Sequence, residues 1–241
     1  MTLRTYAIGD IHGQIDLLHQ AHRWIAADRA RTGDAESPVV HVGDLVDRGP
    51  DSAGVIDLLL RGQASGQPWV VLKGNHDRMF TLFCQGQRDP VLRADLDYLH
   101  PRIGGIETLA SYGLPADATP DAATGAVPAA HRAFLADLPL YCLRGEVVFV
   151  HAGLRPGVAL DQQTEDDLIW IRAPFLDFAA PHPWLVIHGH THLEAPQHHG
   201  NRVNIDSGAA YGGPLTAIVV EGRAVFTLGP DGRQPLLPAG H

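Results

Sequence analysis

Five short motifs in this chain contain side chains that commonly bind metal ions. They are Asp10 and His12 in GDIHG, Asp44 and Asp47 in GDLVDRG, Asn75 and His76 in GNHD, His151 in HAG, and His190 and His192 in GHTH. Carboxylate, amide and imidazole groups without any thiolate suit Mn, Fe or Zn better than a structural Zn or a Ca site. The motifs therefore indicate a catalytic metal centre.

The number of these ligands indicates two metal ions. Six or more nitrogen and oxygen ligands are too many for one tetrahedral ion with an open position, but they suit two ions that share a carboxylate and a water. A single Asp after a strand is usually a turn or cap residue, and a single His is usually satisfied by ordinary hydrogen bonds. The prediction therefore rests on the recurrence of ligand types in all five motifs.

Each motif follows a short apolar run of the kind that forms a strand buried on both faces. These runs are Thr5–Ile8, Val39–Val42, Trp69–Leu72, Val147–Val150 and Trp184–Ile187. Helical spacing over Gln14–Arg31 and Ser52–Leu60 predicts crossover helices between them. Because ligands bind at the carboxyl ends of strands in open α/β sheets, we expect the five motifs to converge there.

The remaining chain predicts an insertion and a smaller set of strands. Residues 80–140 are predicted to form a helical insertion or lid, with helices around Met79–Phe83, Leu92–Leu99 and Ile106–Tyr112 and a loop at Pro115–Pro128. The runs Arg202–Asp206, Leu215–Val220 and Ala224–Leu228 predict a small antiparallel set, followed by a surface tail at Pro230–His241. We predict one domain over residues 1–241.

Composition narrows the classes of partner and compartment. The 241 residues are 45% hydrophobic, and 18 basic against 27 acidic side chains give a net charge of −9, which disfavours duplex nucleic acid and anionic membranes as partners. The opening MTLRTYAIGD resembles no signal peptide, and no apolar run is long enough for a membrane span. Cys84 and Cys142 form no paired motif, so we expect a soluble protein of the reducing cytoplasm.

The five motifs, in this order, resemble those of the calcineurin-like metallophosphoesterases. The DRG ending at Gly49 and the later WIR at Trp170–Arg172 resemble the bacterial branch of the PPP-type serine/threonine protein phosphatases, as does NIDSGAAYGG near the C-terminus. The resemblance implies an α/β fold of the metallophosphoesterase type, a β-sandwich of two mixed sheets flanked by helices, with the helical insertion added to it.

The resemblance also implies a role for each motif residue. Two divalent cations are expected; manganese is the preferred metal, and iron and zinc are the alternatives. The metal ligands would be Asp10, His12 and Asp44 for the first ion, and Asp44, Asn75, His151 and His190 for the second. His76 would be the general acid, oriented by Asp47; Arg48 and Arg172 would clamp the phosphoryl oxygens; Tyr211 would bind substrate. Whether His192 is an additional ligand stays open.

Three functions are compatible with these residues. The first is hydrolysis of phosphoserine or phosphothreonine by direct attack of a metal-bridging hydroxide. The alternative is a nucleotide phosphoanhydride hydrolase, such as a symmetrical diadenosine tetraphosphatase. Between them, these two functions predict a phosphorylated protein or a small phosphoester or nucleotide as the substrate. The third, a non-enzymatic metal-stabilised scaffold, is disfavoured because His76, Asp47, Arg48 and Arg172 are all present.

The insertion is the region expected to separate the first two functions. An adenine subsite would require an aromatic side chain that stacks on the base, and Phe80, Phe83, Tyr98 and Tyr112 are candidates. Packing in the core of the helices would explain the same four residues equally well.

Overall fold

The computed structural model describes residues 3–238, which form eleven strands and eight α-helices. The strands are β1 (Arg4–Ile8), β2 (Val39–His41), β3 (Trp69–Val71), β4 (Tyr141–Arg144), β5 (Val147–Val150), β6 (Leu185–His188), β7 (Gln197–His198), β8 (Arg202–Asn204), β9 (Ala217–Glu221), β10 (Ala224–Gly229) and β11 (Gly232–Pro235). The helices are α1 (Ile15–Thr32), α2 (Ser52–Ala64), α3 (Asn75–Cys84), α4 (Gly105–Ser111), α5 (Pro120–Ala126), α6 (Ala129–Ala136), α7 (Glu165–Trp170) and α8 (Ala173–Leu176).

The strands form two mixed sheets. The six-stranded sheet has the order β11-β10-β9-β1-β2-β3, in which β1, β2 and β3 are parallel and β9 to β11 are antiparallel. The five-stranded sheet has the order β4-β5-β6-β8-β7, with a parallel centre and antiparallel edge strands. The predicted α/β fold with two mixed sheets and flanking helices is confirmed.

Packing between the sheets explains the continuous apolar runs in the sequence. Ala7 and Val40 from the first sheet, with Leu72 directly after β3, share a buried cluster with Phe149 and Ile187 from the second sheet. The opposite faces pack under helices, so the central parallel strands are buried on both sides. This sandwich brings the carboxyl ends of strands from both sheets to a common edge.

Three sequence predictions about individual elements are wrong. Arg202–Asp206 does not join an antiparallel set with the later strands, because β8 pairs in parallel with β6 in the other sheet. Leu92–Leu99 forms turns instead of a helix, and the guanidinium of Arg88 donates to the carbonyls of Leu92 and Leu96 in this segment. The predicted loop Pro115–Pro128 contains α5, whose first turn is capped by the Thr119 hydroxyl accepting from the Ala122 N–H.

Residues 80–140 contain the end of α3 and the helices α4, α5 and α6, joined by turns; α4 and α6 contact α2, and α5 and α6 contact α3. That this segment acts as a lid, and that residues 1–241 form one domain, both stay predictions; residues 1–2 and 239–241, including the end of the predicted surface tail, lie outside the described residues. No helix within residues 3–238 has the length and apolar character that a bilayer span requires.

A buried charge network ties α1 to the far edge of the first sheet. Asp28 of α1 accepts hydrogen bonds from the Tyr6 hydroxyl at 2.9 Å and from Arg233 of β11 at 2.6 and 2.7 Å. Burial alone would raise the pKa of Asp28, but the hydrogen bonds from Arg233, Arg31 and Tyr6 lower it well below its usual value. The ionised carboxylate is therefore stabilised in the folded protein.

We predict that Asp28→Asn lowers the free energy of unfolding at pH 7 by about 1.5–3 kcal/mol, the range typical of hydrogen bonds to charged groups. Because the folded pKa is lowered, this stabilisation is present above the unfolded pKa of about 3.9 and is lost as pH falls through the folded pKa. Urea unfolding at pH 7 and at acid pH measures this difference in the free energy of unfolding, with the exposed Asp117→Asn as control. A deficit that persists at acid pH would contradict this electrostatic origin.

Candidate active site

The five motifs meet at one edge of the sandwich, where the two sheets adjoin. Glycines make this convergence possible: a Cβ on Gly189 would lie 1.8 Å from Asp10 Oδ1, and one on Gly74 would lie 2.2 Å from Asp44 Oδ1. These two positions bring a neighbouring backbone against a carboxylate, so a larger residue would displace that carboxylate. The motif glycines therefore serve close approach as well as chain turning.

Backbone strain is concentrated in the same motifs. Within residues 3–238, the non-glycine residues with positive φ are His12 (46°), Asp44 (50°), Asp47 (73°), Arg48 (69°) and His190 (67°). A non-glycine residue in this region costs of order 1–3 kcal/mol and persists only where surrounding contacts hold it. All five are candidate site residues, so the fold maintains strain where it aims these side chains.

Asp44 lies at the centre of the motif residues and faces a histidine with each oxygen. His12 Nε2 is 3.4 Å from Asp44 Oδ2, and His151 Nε2 is 3.4 Å from Asp44 Oδ1. The backbone N–H of His76 also donates to Oδ1 at 2.9 Å, which fixes the carboxylate plane. A carboxylate that has a potential metal-ligating nitrogen beside each of its oxygens is arranged as it would be to bridge two ions.

The histidine tautomers leave ligating nitrogens directed at this centre. His12 Nδ1 lies 2.8 Å from the Val46 carbonyl and His151 Nδ1 lies 3.0 Å from the Val42 carbonyl, so each Nδ1–H donates and each Nε2 keeps a lone pair. Asn75 Oδ1 lies 3.0 Å from His151 Nε2 and 2.9 Å from His190 Nδ1.

Asp10 completes the set of buried side chains that could ligate a metal ion. Its Oδ2 accepts from the backbone N–H of His190 at 2.9 Å, whereas its buried Oδ1 has no hydrogen-bond partner within residues 3–238. Burial and the neighbouring charges of Asp206 and Asp44 raise the pKa of Asp10, and burial raises the pKa of Asp44 to about 7. Clustered carboxylates with a free buried oxygen and facing imidazole lone pairs fit divalent cations.

Two overlapping groups in the described chain are close enough to hold metal ions. One comprises His12, Asp44 and His76, and the other comprises Asp44, His151 and His190. Asp44 belongs to both groups, as expected of a bridging ligand. The structure thus brings together all six of the predicted ligands, with Asp10 and Asn75 bonded to His190.

His76 and Asp47 form a short buried pair. His76 Nδ1 lies 2.6 Å from Asp47 Oδ2, and the other oxygen of Asp47 accepts from the hydroxyls of Tyr98 at 2.6 Å and Thr108 at 2.7 Å. Burial raises the pKa of Asp47 to about 7, while burial and the charge of Arg48 lower the pKa of His76. Asp47 is therefore oriented by the insertion, and it orients His76.

The predicted arginines lie over the imidazoles of this centre. Arg48 donates to His12 Nε2 at 2.7 Å and to His76 Nε2 at 2.9 Å, and Arg172 donates to His190 Nε2 at 3.1 Å. They open onto a cavity of about 270 Å³. Its lining residues are His12, Asp44, Arg48, Asn75, His76, Arg102, Arg172, His190, His192, Asp206, Ala210 and Tyr211.

Tyr211 lies at the mouth of the cavity and is 60% exposed. The guanidinium of Arg48 lies 5.2 Å from the centre of its ring, and the ring of His192 lies 4.7 Å away on a tilted plane. His192 therefore lines the cavity, and it belongs to neither group of residues close enough to hold an ion. Tyr211 offers an aromatic surface next to the arginines.

Sequence reasoning missed several residues that shape the site. Asp77 accepts from the backbone N–H of Leu45 at 2.9 Å and of Gly74 at 2.8 Å, which joins two motif loops. Its position three residues after Gly74, at the place of a capping-box acid, is a signal that could have found it. Asp206, Arg102 and Thr108 have no such local signal, and the bond from the Tyr98 hydroxyl to Asp47 has none either.

Three histidines outside the set of candidate site residues are buried and have other partners. His41 is buried in β2 with His22 Nε2 2.9 Å from its own Nε2. His188 is buried in β6 with its Nε2 3.2 Å from the guanidinium of Arg202. His198 is buried, and its Nδ1 accepts from the Gly200 N–H.

Comparison with known proteins gives one family. The family model described as calcineurin-like phosphoesterase matches residues 3–220. The asymmetrical bis(5'-nucleosyl)-tetraphosphatase PrpE of Anoxybacillus flavithermus is 27% identical and the alignment covers 88% of each chain. Serine/threonine-protein phosphatase 1 of Salmonella typhimurium is 36% identical over 75 residues, 31% of this chain and 30% of the relative.

A solved structure provisionally assigned as a diadenosine tetraphosphatase has the same fold. It superposes with a TM-score of 0.66 at 24% identity, over 98% of this chain and 95% of that one.

We predict that Asp44→Asn removes both metal ions together with turnover, because both groups of candidate ligands include this carboxylate. Metal content after dialysis, measured by atomic emission, gives the result, and Asp16→Asn on the exposed face of α1 is the control. An Asp44→Asn protein that retains two ions per chain would show that Asp44 does not bridge them.

Proposed function

This chain belongs to the calcineurin-like phosphoesterase family, and we propose that it hydrolyses dinucleoside tetraphosphates asymmetrically, to a nucleoside triphosphate and a nucleoside monophosphate. The observation that carries the proposal is the alignment over 88% of each chain with a relative named an asymmetrical bis(5'-nucleosyl)-tetraphosphatase. The comparisons thus favour the second substrate class predicted from the sequence over the first. They also favour asymmetrical cleavage over the symmetrical cleavage expected there.

Two divalent cations belong in this site. We assign Asp10, His12 and Asp44 to the first, and Asp44, Asn75, His151 and His190 to the second; manganese, iron and zinc all suit these donors. Of these residues, His12 and Asp44 lie in one close group with His76, and Asp44, His151 and His190 form the other, while Asp10 and Asn75 bond to His190. When bound, such ions lower the pKa of a coordinated water and offset negative charge that develops on the phosphorus. The burial of Asp10 and Asp44 supports this assignment, because a cation compensates for the cost of ionising them there.

The chain's own groups bind the phosphoryl group and move a proton. A water oxygen attacks the phosphorus that carries one nucleoside, the bond from that phosphorus to the bridging oxygen breaks, and the nucleoside triphosphate leaves. Arg48 and Arg172 clamp the phosphoryl oxygens. Once a phosphoryl oxygen replaces His76 Nε2 as the acceptor for Arg48, that nitrogen can carry the proton delivered to the leaving oxygen, with Asp47 holding Nδ1.

Tyr211 is the aromatic residue best placed for the nucleoside. The four aromatic candidates of the insertion pack among themselves, with Phe80 5.8 Å from Tyr98 and 5.9 Å from Tyr112, and Phe83 4.8 Å from Tyr98. The hydroxyl of Tyr98 also donates a hydrogen bond to Asp47. The ring of Tyr211 is exposed at the cavity mouth, where it can stack on a base or contact another part of the substrate.

Protein phosphatase activity is the second candidate. It is supported by the 36% identity over 75 residues with serine/threonine-protein phosphatase 1 of Salmonella typhimurium. That alignment covers 31% of this chain, so it supports the shared catalytic machinery more than a shared substrate.

A substrate comparison tests the proposal. We expect the purified protein with Mn to hydrolyse diadenosine tetraphosphate with a higher kcat/KM than a phosphoserine peptide, and chromatography to show equal amounts of ATP and AMP. Two equivalents of ADP would indicate symmetrical cleavage instead. A higher kcat/KM for the phosphopeptide would favour the protein phosphatase.

We predict that His76→Asn keeps both metal ions bound but lowers the rate for an alkyl phosphoester by about 10²–10⁴-fold, the range attributed to a general acid. The loss should be smaller for nitrophenyl phosphate, because its weakly basic leaving group scarcely needs a proton. Initial rates and metal content on the same preparations give the result, with exposed His19→Asn as control. Equal losses on both substrates would mean that His76 is not the acid.

A further inference from the structure

Arg102 is a third arginine in the cavity, and neither the motifs nor the metal ligands account for it. It lies in the insertion between Tyr98 and α4, and it is one of the residues that line the cavity, together with Arg48 and Arg172. Arg48 and Arg172 bond to imidazoles of the site. Across residues 3–238, the Arg102 guanidinium forms no hydrogen bond or ion pair, and the contact made by this residue is its backbone N–H donating to His100 Nδ1 at 3.1 Å.

The loop that carries Arg102 is fixed to the motif loop of Arg48. The next residue, Ile103, is buried, and Gly104 has a φ of 84° with its backbone against Arg48. A Cβ on Gly104 would lie 2.6 Å from Arg48 Cγ, and the Gly104 carbonyl accepts from the Arg48 N–H at 3.0 Å. The backbone beneath Arg102 is therefore anchored, while Arg102 itself is exposed and lines the cavity.

Asp95, an acidic residue close enough to be affected by the charge of Arg102, is paired with another arginine. Arg93 gives two hydrogen bonds to the carboxylate of Asp95, at 3.0 and 2.7 Å, and lowers the pKa of Asp95; the charge of Arg102 contributes less. The chain as a whole carries a net charge of −9. A cation without a partner at this cavity is therefore a local positive charge in an acidic protein, which can attract an anionic group there.

We propose that Arg102 binds the non-scissile phosphates of the leaving nucleoside triphosphate, which makes it a specificity-determining residue for polyphosphate chains. A phosphomonoester presents one phosphoryl group, and Arg48 and Arg172 already lie over the place for it. A polyphosphate presents further anionic groups beyond the scissile phosphorus, and a planar guanidinium matches their oxygens with two parallel hydrogen bonds. This inference rests on the proposed function for the identity of the substrate.

The first test compares two substrates in the full-length, metal-loaded protein. For Arg102→Ala we expect the ratio of kcat/KM for diadenosine tetraphosphate to that for nitrophenyl phosphate to fall by about 10–100-fold, as for the loss of charged hydrogen bonds. Arg102→Lys should recover part of the ratio. Arg23→Ala, which removes one exposed arginine from α1, is the control for net charge and should keep the wild-type ratio. An unchanged ratio in Arg102→Ala would overturn the inference.

The second test separates this inference from the proposed function. With nitrophenyl phosphate as reporter, at fixed free metal and ionic strength, inhibition by inorganic triphosphate should weaken about 10-fold or more in Arg102→Ala relative to inhibition by orthophosphate. If wild-type protein fails to cleave diadenosine tetraphosphate but this selective weakening is observed, the polyphosphate subsite stands and the proposed function falls. Equal effects on both inhibitors would overturn the subsite.

Discussion

The structure depends on burying several carboxylates beside one another at the edge shared by two sheets. Burial raises the pKa of Asp10 and Asp44, so the ionised forms are costly there unless positive charge lies close by. Histidine Nε2 atoms approach Asp44 from both sides, but an imidazole offers a lone pair and little charge when neutral. Divalent cations satisfy both groups at once, and their binding would stabilise the folded chain.

That edge exists because of how the sheets pack. Asp10, His12, Asp44 and Asn75 follow strands of the first sheet, whereas His151 and His190 follow strands of the second. Their relative positions are therefore set by the cluster between the sheets, which is far from the chemistry in sequence but adjacent in space. The strained backbone at these motifs persists because fixed neighbours hold it, including the carboxylate of Asp77 and the backbone of Gly104.

The sequence predicts what local pattern determines. Continuous apolar runs followed by ligand-type residues located the strands and candidate ligands, because burial on both faces and ligand chemistry leave a trace within a few residues. The two hydroxyls that bond to Asp47 leave no such local pattern. Tyr98 lies 51 positions and Thr108 61 positions from Asp47 in the sequence, and neither hydroxyl differs in the sequence from that of an ordinary core residue. The place of β8 in the second sheet likewise follows from pairing with β6, which no local period reveals.

Asp47 shows that the insertion and the catalytic centre form one unit. One of its oxygens bonds His76 and the other bonds Tyr98 and Thr108, both of which come from the insertion. The next residue, Arg48, is held through its backbone by Gly104 of the same segment. A change in the insertion that reshapes the cavity therefore also acts on the His76–Asp47 pair and on the backbone of Arg48. In the proposed reaction, the shape of the cavity and the positioning of the proposed acid are coupled through these buried hydrogen bonds.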